Sequence, residues 1–197
     1  QSQSVMEALQ MIPEGEIEVV GTFRHPALTD QLIKATFSGG YGTAGPVTPE
    51  FAMFAFGAEM VEVRIHKYTH EIRVPRIHSA FAAGTWLNRK TAHSQLMGGM
   101  IWGISSALHE VTETDKPRSR FLNANIAEYL VPVNADIREV RVEMLEEQDD
   151  YVNPLGVKGI GEIGIVGTAA AIGNAIYHAT GKRLTALPMT ISDVLST

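Results

Sequence analysis

Asn153-Pro154-Leu155-Gly156-Val157-Lys158-Gly159-Ile160-Gly161-Glu162-Ile163-Gly164-Ile165 sets one carboxylate, Glu162, among four glycines, and the small-residue run from Val166 to Ile172 follows at once. Beyond it, Ile165, Ala169, Ile172, Ile176 and Ala179 recur at helical spacing, and Gly181 before Lys182 and Arg183 reads as a glycine stop. The spacing predicts a helix that begins just past Glu162. There the exposed amides favour an ionised carboxylate, while burial among glycines and aliphatics pushes its pKa upward. Opposed effects of this kind poise a general base near neutral pH. An acid in the first turn of a surface helix is the commoner fate of such a residue. The flanking glycines, which let backbone approach a ligand closely, favour the functional reading.

The same glycines spell Gly159-x-Gly161-x-x-Gly164, the pattern of a dinucleotide-binding turn. That turn follows an apolar strand and opens a strand–helix–strand unit. Here the polar run Asp149-Asp150-Tyr151-Val152-Asn153-Pro154 precedes it, and only Leu184-Thr185-Ala186-Leu187 stands between the helix and Pro188. The match reads as accidental, with a nucleotide-binding module kept as the rival.

Working outward, the 197 residues allow one substantial core, and 45% hydrophobic with 19% charged residues is an ordinary globular balance. A net charge of -6 gives no basic excess for nucleic acid. With no cysteine, this stretch builds neither disulfides nor a thiolate cluster, so any iron–sulfur centre must come from elsewhere. The start, Gln1-Ser2-Gln3-Ser4, carries no initiator methionine and no targeting pattern, which predicts a piece of something longer. The apolar run from Leu96 to Leu108 is too short to span a bilayer, so no membrane role is expected.

Residues 1–16 are weakly helical in pattern, Ile17 to Phe23 is a short β-type run, and the Gly/Pro-rich stretch from Phe37 to Pro49 predicts a long loop. This N-terminal part, 1–50, is expected to be irregular, and 51–197 to form the main domain. Val61, Val63 and Ile65 alternate with Glu62, Arg64 and His66, and Ile72 and Val74 with Arg73, which predicts a hairpin around Lys67-Tyr68-Thr69-His70. His66 and His70 then lie on a solvent-facing turn without a third ligand nearby, so no metal site is expected. A helix from about Ala92 to His109 is predicted, with Met97, Ile101, Ile104 and Leu108 as its apolar stripe and Gly99, Gly103 and Ala107 as a small one. Helical glycines cost about 1 kcal/mol each relative to alanine, so these, with Gly98, imply close approach by a neighbouring element or by a cofactor. Gln95 falls in the first turn of that helix, where the dipole suits phosphate. Tyr129 to Val133 reads as extended, Val140, Val142 and Met144 as a half-buried strand, and Glu146 to Asp150 as a solvated acidic turn.

Four segments in this order, Ala58-Glu59-Met60-Val61-Glu62-Val63, Leu87-Asn88-x-x-Thr91-Ala92-x-Ser94-Gln95-Leu96-x-Gly98-Gly99, Asn123-Ala124-Asn125 with Tyr129-x-Val131-Pro132, and Gly156-x-Lys158-Gly159-Ile160-Gly161-Glu162, resemble the C-terminal part of the large subunit of molybdenum hydroxylases. These are the xanthine dehydrogenase and aldehyde oxidase group, and the likeness runs from about Phe51 to Pro188 and is greatest for bacterial aldehyde oxidoreductases. The resemblance implies an α+β fold, a mixed sheet with two main helices, forming part of the molybdenum-binding subunit. It implies a molybdopterin cytosine dinucleotide cofactor held by Thr85, Trp86, Leu87, Asn88, Arg89, Lys90 and Thr91, by Gln95, and by Lys158, Gly159, Ile160 and Gly161. Gln95 has the donors and acceptor to pair with a pterin edge. In the family, the glutamate matching Glu162 takes a proton from a molybdenum-bound hydroxyl as hydride passes to a sulfido ligand. The remainder of the large subunit and separate iron–sulfur and FAD subunits are the implied partners, with an aldehyde, or as the alternative an aromatic N-heterocycle, as substrate. The reading is of an enzyme fragment inactive alone; a non-catalytic association module is the alternative of another class. Cytoplasm and periplasm are both compatible, the latter by export as a passenger on a partner.

Three positions depart from the family pattern. His66 stands where an aspartate is usual, His70 where a glycine is usual, and Arg89 where a proline is usual. A turn that needs positive φ would strain His70, and Arg89 is expected to loosen the cofactor loop.

Overall fold

In the computed structural model of the chain, which describes residues 53–195 together with Glu7, Glu18–Gly21, Asp30, Gln31 and Lys34, the alternating run forms a hairpin longer than its pattern predicts. Strand β1 (Phe56–Ile65) pairs antiparallel with β2 (Ile72–Ala82), closing at Ile65 opposite Ile72. The register slips between Glu62 and Arg64, where Val74 and Pro75 together face Val63. Proline has no N–H for the ladder, so an irregularity is where a strand tolerates it. At the turn, His66 Nδ1 accepts the Thr69 amide at 3.0 Å, the kind of service an aspartate oxygen gives in an Asx-turn. His70 takes a positive φ of 58°, the strained conformation anticipated for it.

A third strand, β3 (Glu139–Met144), lies parallel to β2, from Arg76 opposite Glu139 to Phe81 opposite Met144, making a mixed sheet in the order β1-β2-β3. Val140, Val142 and Met144 are half-buried and Arg141 and Glu143 exposed, as their alternation predicts. A parallel pair needs a long crossover, and helix α1 (Arg89–Leu108) forms its first part. A two-residue ribbon, Thr114–Asp115 with Arg120–Phe121, completes the crossover. Asn123 pins this region: its Oδ1 accepts the Glu113 amide at 3.0 Å and its Nδ2 donates to the Val111 carbonyl at 2.7 Å. Tyr129 to Val133 forms no strand, and Leu130, Val131 and Val133 are exposed.

Helix α1 starts three residues earlier than its apolar period suggests. Asn88 caps it, its side chain accepting the Thr91 amide at 3.1 Å, so Arg89, Lys90 and Thr91 belong to the helix and not to a loop. Gln95 consequently lies in the second turn. Its buried face is also not the predicted stripe: Ala92, Leu96, Met100, Gly103, Ile104 and Ala107 are buried, while Met97, Ile101 and Leu108 are only half-buried. The small residues face inward because another helix comes too close for anything larger. A Cβ on Gly99 would stand 2.9 Å from the Gly164 carbonyl carbon, and one on Gly103 2.6 Å from Thr168 Oγ1. Close packing thus accounts for these two glycines; Gly98 faces open space.

The second main helix is broken. After one turn, α2 (Ile163–Val166), the chain breaks at Gly167 and resumes as α3 (Thr168–Thr180). The cause is a residue from the far end of the domain. Glu59 on β1 accepts the Gly167 amide at 3.1 Å and the Thr168 hydroxyl at 2.5 Å, capping α3 with a carboxylate whose pKa burial raises. Gly181, at φ 75°, ends α3 as predicted. A short α4 (Ile191–Leu195), not expected from the pattern, follows. Helix α3 packs on β1 and α1 on β3. Ile77, Phe81, Leu96, Met100, Ile104, Ile172 and Ile176 form the core between the sheet and the helices.

Backbone contacts divide the chain into Gln1–Glu50 and Phe51–Thr197. In the first unit, Glu7, Asp30, Gln31 and Lys34 are helical, and Glu18–Gly21 form no strand where a β-type run was expected; Val19 and Val20 stand exposed. The rest of that run, most of residues 1–16 and the 37–49 loop lie outside the described residues. No helix among those described is long and apolar enough to cross a membrane.

Candidate functional site

Where β2 ends, Ala83, Gly84 and Thr85 run beside Gly156, Val157 and Lys158. The Thr85 amide donates to the Gly156 carbonyl at 2.8 Å, and the Lys158 amide to the Ala83 carbonyl at 3.1 Å. Both glycines hold positive φ, 68° at Gly84 and 65° at Gly156. A Cβ on Gly84 would overlap the Gly156 carbonyl oxygen, so only glycine lets these two backbones meet. Asn153 shapes the approach, its Oδ1 accepting the Leu155 and Val157 amides at 3.1 and 3.2 Å and its Nδ2 donating to the Val157 carbonyl at 2.8 Å.

This junction brings together segments more than sixty residues apart. An open hollow of about 420 Å³ is lined by Thr85, Trp86, Leu87, Asn88, Thr91 and Gln95 on one side and by Lys158 and Ile160 on the other. Eight of the thirteen residues singled out in the sequence therefore surround one cavity. The Trp86 indole donates to the Leu145 carbonyl at 2.8 Å, which fixes one wall. Leu87 is largely exposed.

The other five lie outside the lining. Arg89 is the first residue of α1, the position where proline is favoured, and its guanidinium pairs with exposed Glu146. Exposed pairs contribute little, so this contact adds little to holding the start of α1. Lys90 is exposed. Gly159 and Gly161 face open space, and the amides of Gly159, Ile160 and Gly161 make no hydrogen bond among the described residues.

Glu162 caps the single turn α2 through its backbone carbonyl, which accepts the Ile165 amide at 3.0 Å, but its carboxylate makes no hydrogen bond or ion pair among the described residues. It is exposed. The burial anticipated for it is absent, and the long helix whose dipole was to act on it starts later and is capped by Glu59. One contact does govern its placement: Gln95 Nε2 donates at 2.8 Å to the carbonyl of the peptide joining Gly161 to Glu162. Gln95 thereby uses a donor on the loop and keeps its oxygen as a free acceptor.

The acidic turn is a lysine anchor and not the solvated surface its charge run predicts. Glu147 and Asp149 accept from Lys158 Nζ at 2.8 and 3.0 Å, and the Lys158 side chain is only 3% exposed. Burial pulls the Lys158 ammonium down, but the two carboxylates outweigh it and its pKa stands above the usual lysine value. Hydrogen bonds from Lys158 hold both carboxyls below their ordinary range. The available signal was a lysine set between Val157 and Ile160, downstream of an acidic run.

Gly164 is not a nucleotide-turn glycine: a Cβ there would stand 2.6 Å from the Leu96 carbonyl oxygen. Only an isolated bridge at Val157 precedes the loop and no strand follows α3 among the described residues, so the strand–helix–strand context is missing. A second hollow of about 410 Å³, bordered by Arg73, His109 and Asp136, contains none of the residues singled out. No group of three potential metal-ligating side chains occurs among the described residues.

Residues 4–138 match the molybdopterin cofactor-binding domain, starting well upstream of Phe51 and stopping before Glu162. The chain is 41% identical over 151 residues to the aldehyde oxidoreductase molybdenum-binding subunit PaoC of Escherichia coli K12, covering 77% of this chain and 21% of that protein. It is 34% identical over 139 residues to a xanthine dehydrogenase molybdenum-binding subunit of Escherichia coli O157:H7, covering 69% of this chain and 18% of that one. Among solved structures, the aldehyde oxidoreductase of Desulfovibrio gigas superposes with a TM-score of 0.64 at 29% identity, over 72% of this chain and 15% of that one. The chain thus spans about a fifth of the length of the curated relatives it matches. With most of its length matched by the domain and two thirds or more aligned to such subunits, the chain belongs to the molybdopterin-binding family of molybdenum hydroxylase large subunits.

Proposed function

We propose that the hollow between residues 85–95 and 157–160 is part of the cofactor site of a molybdenum-dependent oxidoreductase that converts aldehydes to carboxylic acids, with Glu162 as its proton-accepting base. The observation that carries this reading is the bond from Gln95 to the carbonyl preceding Glu162, which ties the wall of the hollow to the only unpartnered carboxylate on the loop. The residues suit a polar, phosphate-bearing pterin. Unbonded amides at Gly159, Ile160 and Gly161 offer donors, the Gln95 oxygen offers an acceptor, and the bare Cα positions of Gly98, Gly159 and Gly161 leave room for close approach.

When bound, the molybdenum of a molybdopterin cytosine dinucleotide would supply the two-electron acceptor and the oxygen delivered to the product. Of this chain's residues, Thr85 to Asn88 with Thr91 and Gln95 line one wall and Lys158 and Ile160 the other, and Gly159 and Gly161 offer their amides from beside it. Glu162, with free lone pairs and no competing partner, takes up a proton released in the oxidation. Gln95 holds the peptide that carries it.

The aldehyde reading rests on the higher identity to an aldehyde oxidoreductase subunit than to a xanthine dehydrogenase subunit. Oxidation of an aromatic N-heterocycle is the second reading. The remainder of the large subunit is the first partner, and iron–sulfur and FAD subunits carry the electrons away. Exposed Phe121, Leu122, Ile126, Leu130 and Val133 are concentrated in one short segment, as suits a surface that another part of the subunit covers. Residues 51–197 are then the C-terminal portion of the cofactor domain, and 4–50 an earlier part of the stretch that matches it.

The test uses the full-length subunit purified with its partners. Glu162→Gln keeps the shape and removes the base, so molybdenum and released cytidine nucleotide stay near wild type while aldehyde turnover falls by orders of magnitude. Wild-type-like turnover overturns the base, and absence of molybdenum from active enzyme overturns the whole reading.

A further inference from the structure

The loop carrying Glu162 has little of its own to hold it. Gly159 and Gly161 are free to adopt many conformations, and their amides make no bond among the described residues. Its position is therefore set by its two ends. One is the Gly161 carbonyl, held by Gln95. The other is Lys158, where three stretches of chain converge. Lys158 Nζ donates to Glu147 Oε1 and Asp149 Oδ2 at 2.8 and 3.0 Å, and Glu147 Oε2 accepts the Gly84 amide at 2.7 Å. Asp149 Oδ1 in turn accepts the Tyr151 and Val152 amides at 3.0 and 3.1 Å, fixing its own turn. Glu147 and Asp149 are 25% and 13% exposed, so the group is largely shielded and its partners are not interchangeable with water.

We propose that Glu147 and Asp149 are positioning residues: by gripping the buried Lys158 ammonium and the Gly84 amide, they fix the start of the Gly159–Glu162 loop against the end of β2 and so present Glu162 beside the hollow. The ammonium is thereby spent within the protein and does not reach a ligand. The proposal rests on the assignment of Glu162 as the base, but its structural half can be read separately.

In the assembled full-length enzyme, Glu147→Gln combined with Asp149→Asn is expected to lower kcat per bound molybdenum at least tenfold with KM within twofold of wild type. A role confined to stability would lower the thermal midpoint and leave kcat per molybdenum alone. In the same enzyme stripped of cofactor, hydrogen exchange at the Thr85 and Lys158 amides, which register the two loops, is expected to quicken at least fivefold. Turnover per molybdenum within twofold of wild type, or unchanged exchange at both amides, overturns the proposal. If the double variant fails to assemble, Glu147→Gln alone, which leaves Asp149 on Lys158, is measured by exchange; there a quickening below twofold overturns it. Should Glu162→Gln prove fully active, the base assignment fails, and the exchange rates still decide whether the two acids anchor the loop.

Discussion

Replacing Gly103 by alanine tests whether α1 is pressed against α3 as closely as the structure places it. In an open helix the change would stabilise by about 1 kcal/mol through propensity. Here the new methyl would lie 2.6 Å from Thr168 Oγ1 and overlap the Thr168 Cβ, and Thr168 is fully buried with nowhere to swing. Overpacking of this kind costs about 1–3 kcal/mol. Displacing the Thr168 hydroxyl also endangers its 2.5 Å bond to the Glu59 carboxylate, a charge-assisted bond worth about 1.5–3 kcal/mol. The net expectation is a loss of about 2–4 kcal/mol, a shift of the urea midpoint by roughly 1–2 M at a slope of about 2 kcal/mol per molar. Gly98→Ala, on the same helix with nothing within 4 Å of the new atom, should instead gain about 0.5–1 kcal/mol. Equilibrium urea unfolding of the two variants and the parent chain decides the matter. A Gly103→Ala chain as stable as its parent, or a Gly98→Ala chain destabilised to the same degree, would refute the packing argument.

Two further outcomes are expected. Gln95→Ala removes the bond to the Gly161 carbonyl and an acceptor facing the hollow, so the full-length enzyme should retain less molybdenum per chain; unchanged content measured by elemental analysis would dissociate Gln95 from the cofactor. The Glu147 and Asp149 carboxyls are held below their ordinary values of about 4. Their contribution to stability is thus complete above that range and is lost as the pH falls through the lower folded-state values. The urea midpoint of the chain should drop between about pH 5 and about pH 2, and drop less in the Glu147→Gln, Asp149→Asn variant; parallel pH profiles would remove the linkage.

Much of the fold was legible because its signals are local. Alternation at Val61, Val63 and Ile65 and at Val140, Val142 and Met144 reports a period of two, and strands appear there. Gly181 ends α3 because its φ of 75° suits glycine. The candidate site was partly legible for a related reason: the Leu-Asn-x-x-Thr and Lys-Gly-Ile-Gly-Glu segments each carry a recognisable local order, and the hollow does unite residues of both. What escaped were assignments that depended on one particular distant side chain. Nothing around Gly167 announces that the helix must break there, since the carboxylate responsible lies 108 residues earlier. Nothing around Glu146 to Asp150 distinguishes a solvated turn from a lysine anchor.

The sequence by itself determined the alternating parts of the three sheet strands, the presence of the two main helices, the glycine stop and the family pattern, because period and backbone freedom act within a few residues of where they are written. Only the tertiary structure decided which glycines are packed and which are open, that Glu59 and not Glu162 caps the long helix, and that Glu147 and Asp149 secure Lys158. Those outcomes are set by which surfaces come within 3 Å of each other once the sheet and helices have closed, and a residue's local sequence carries no record of that distance.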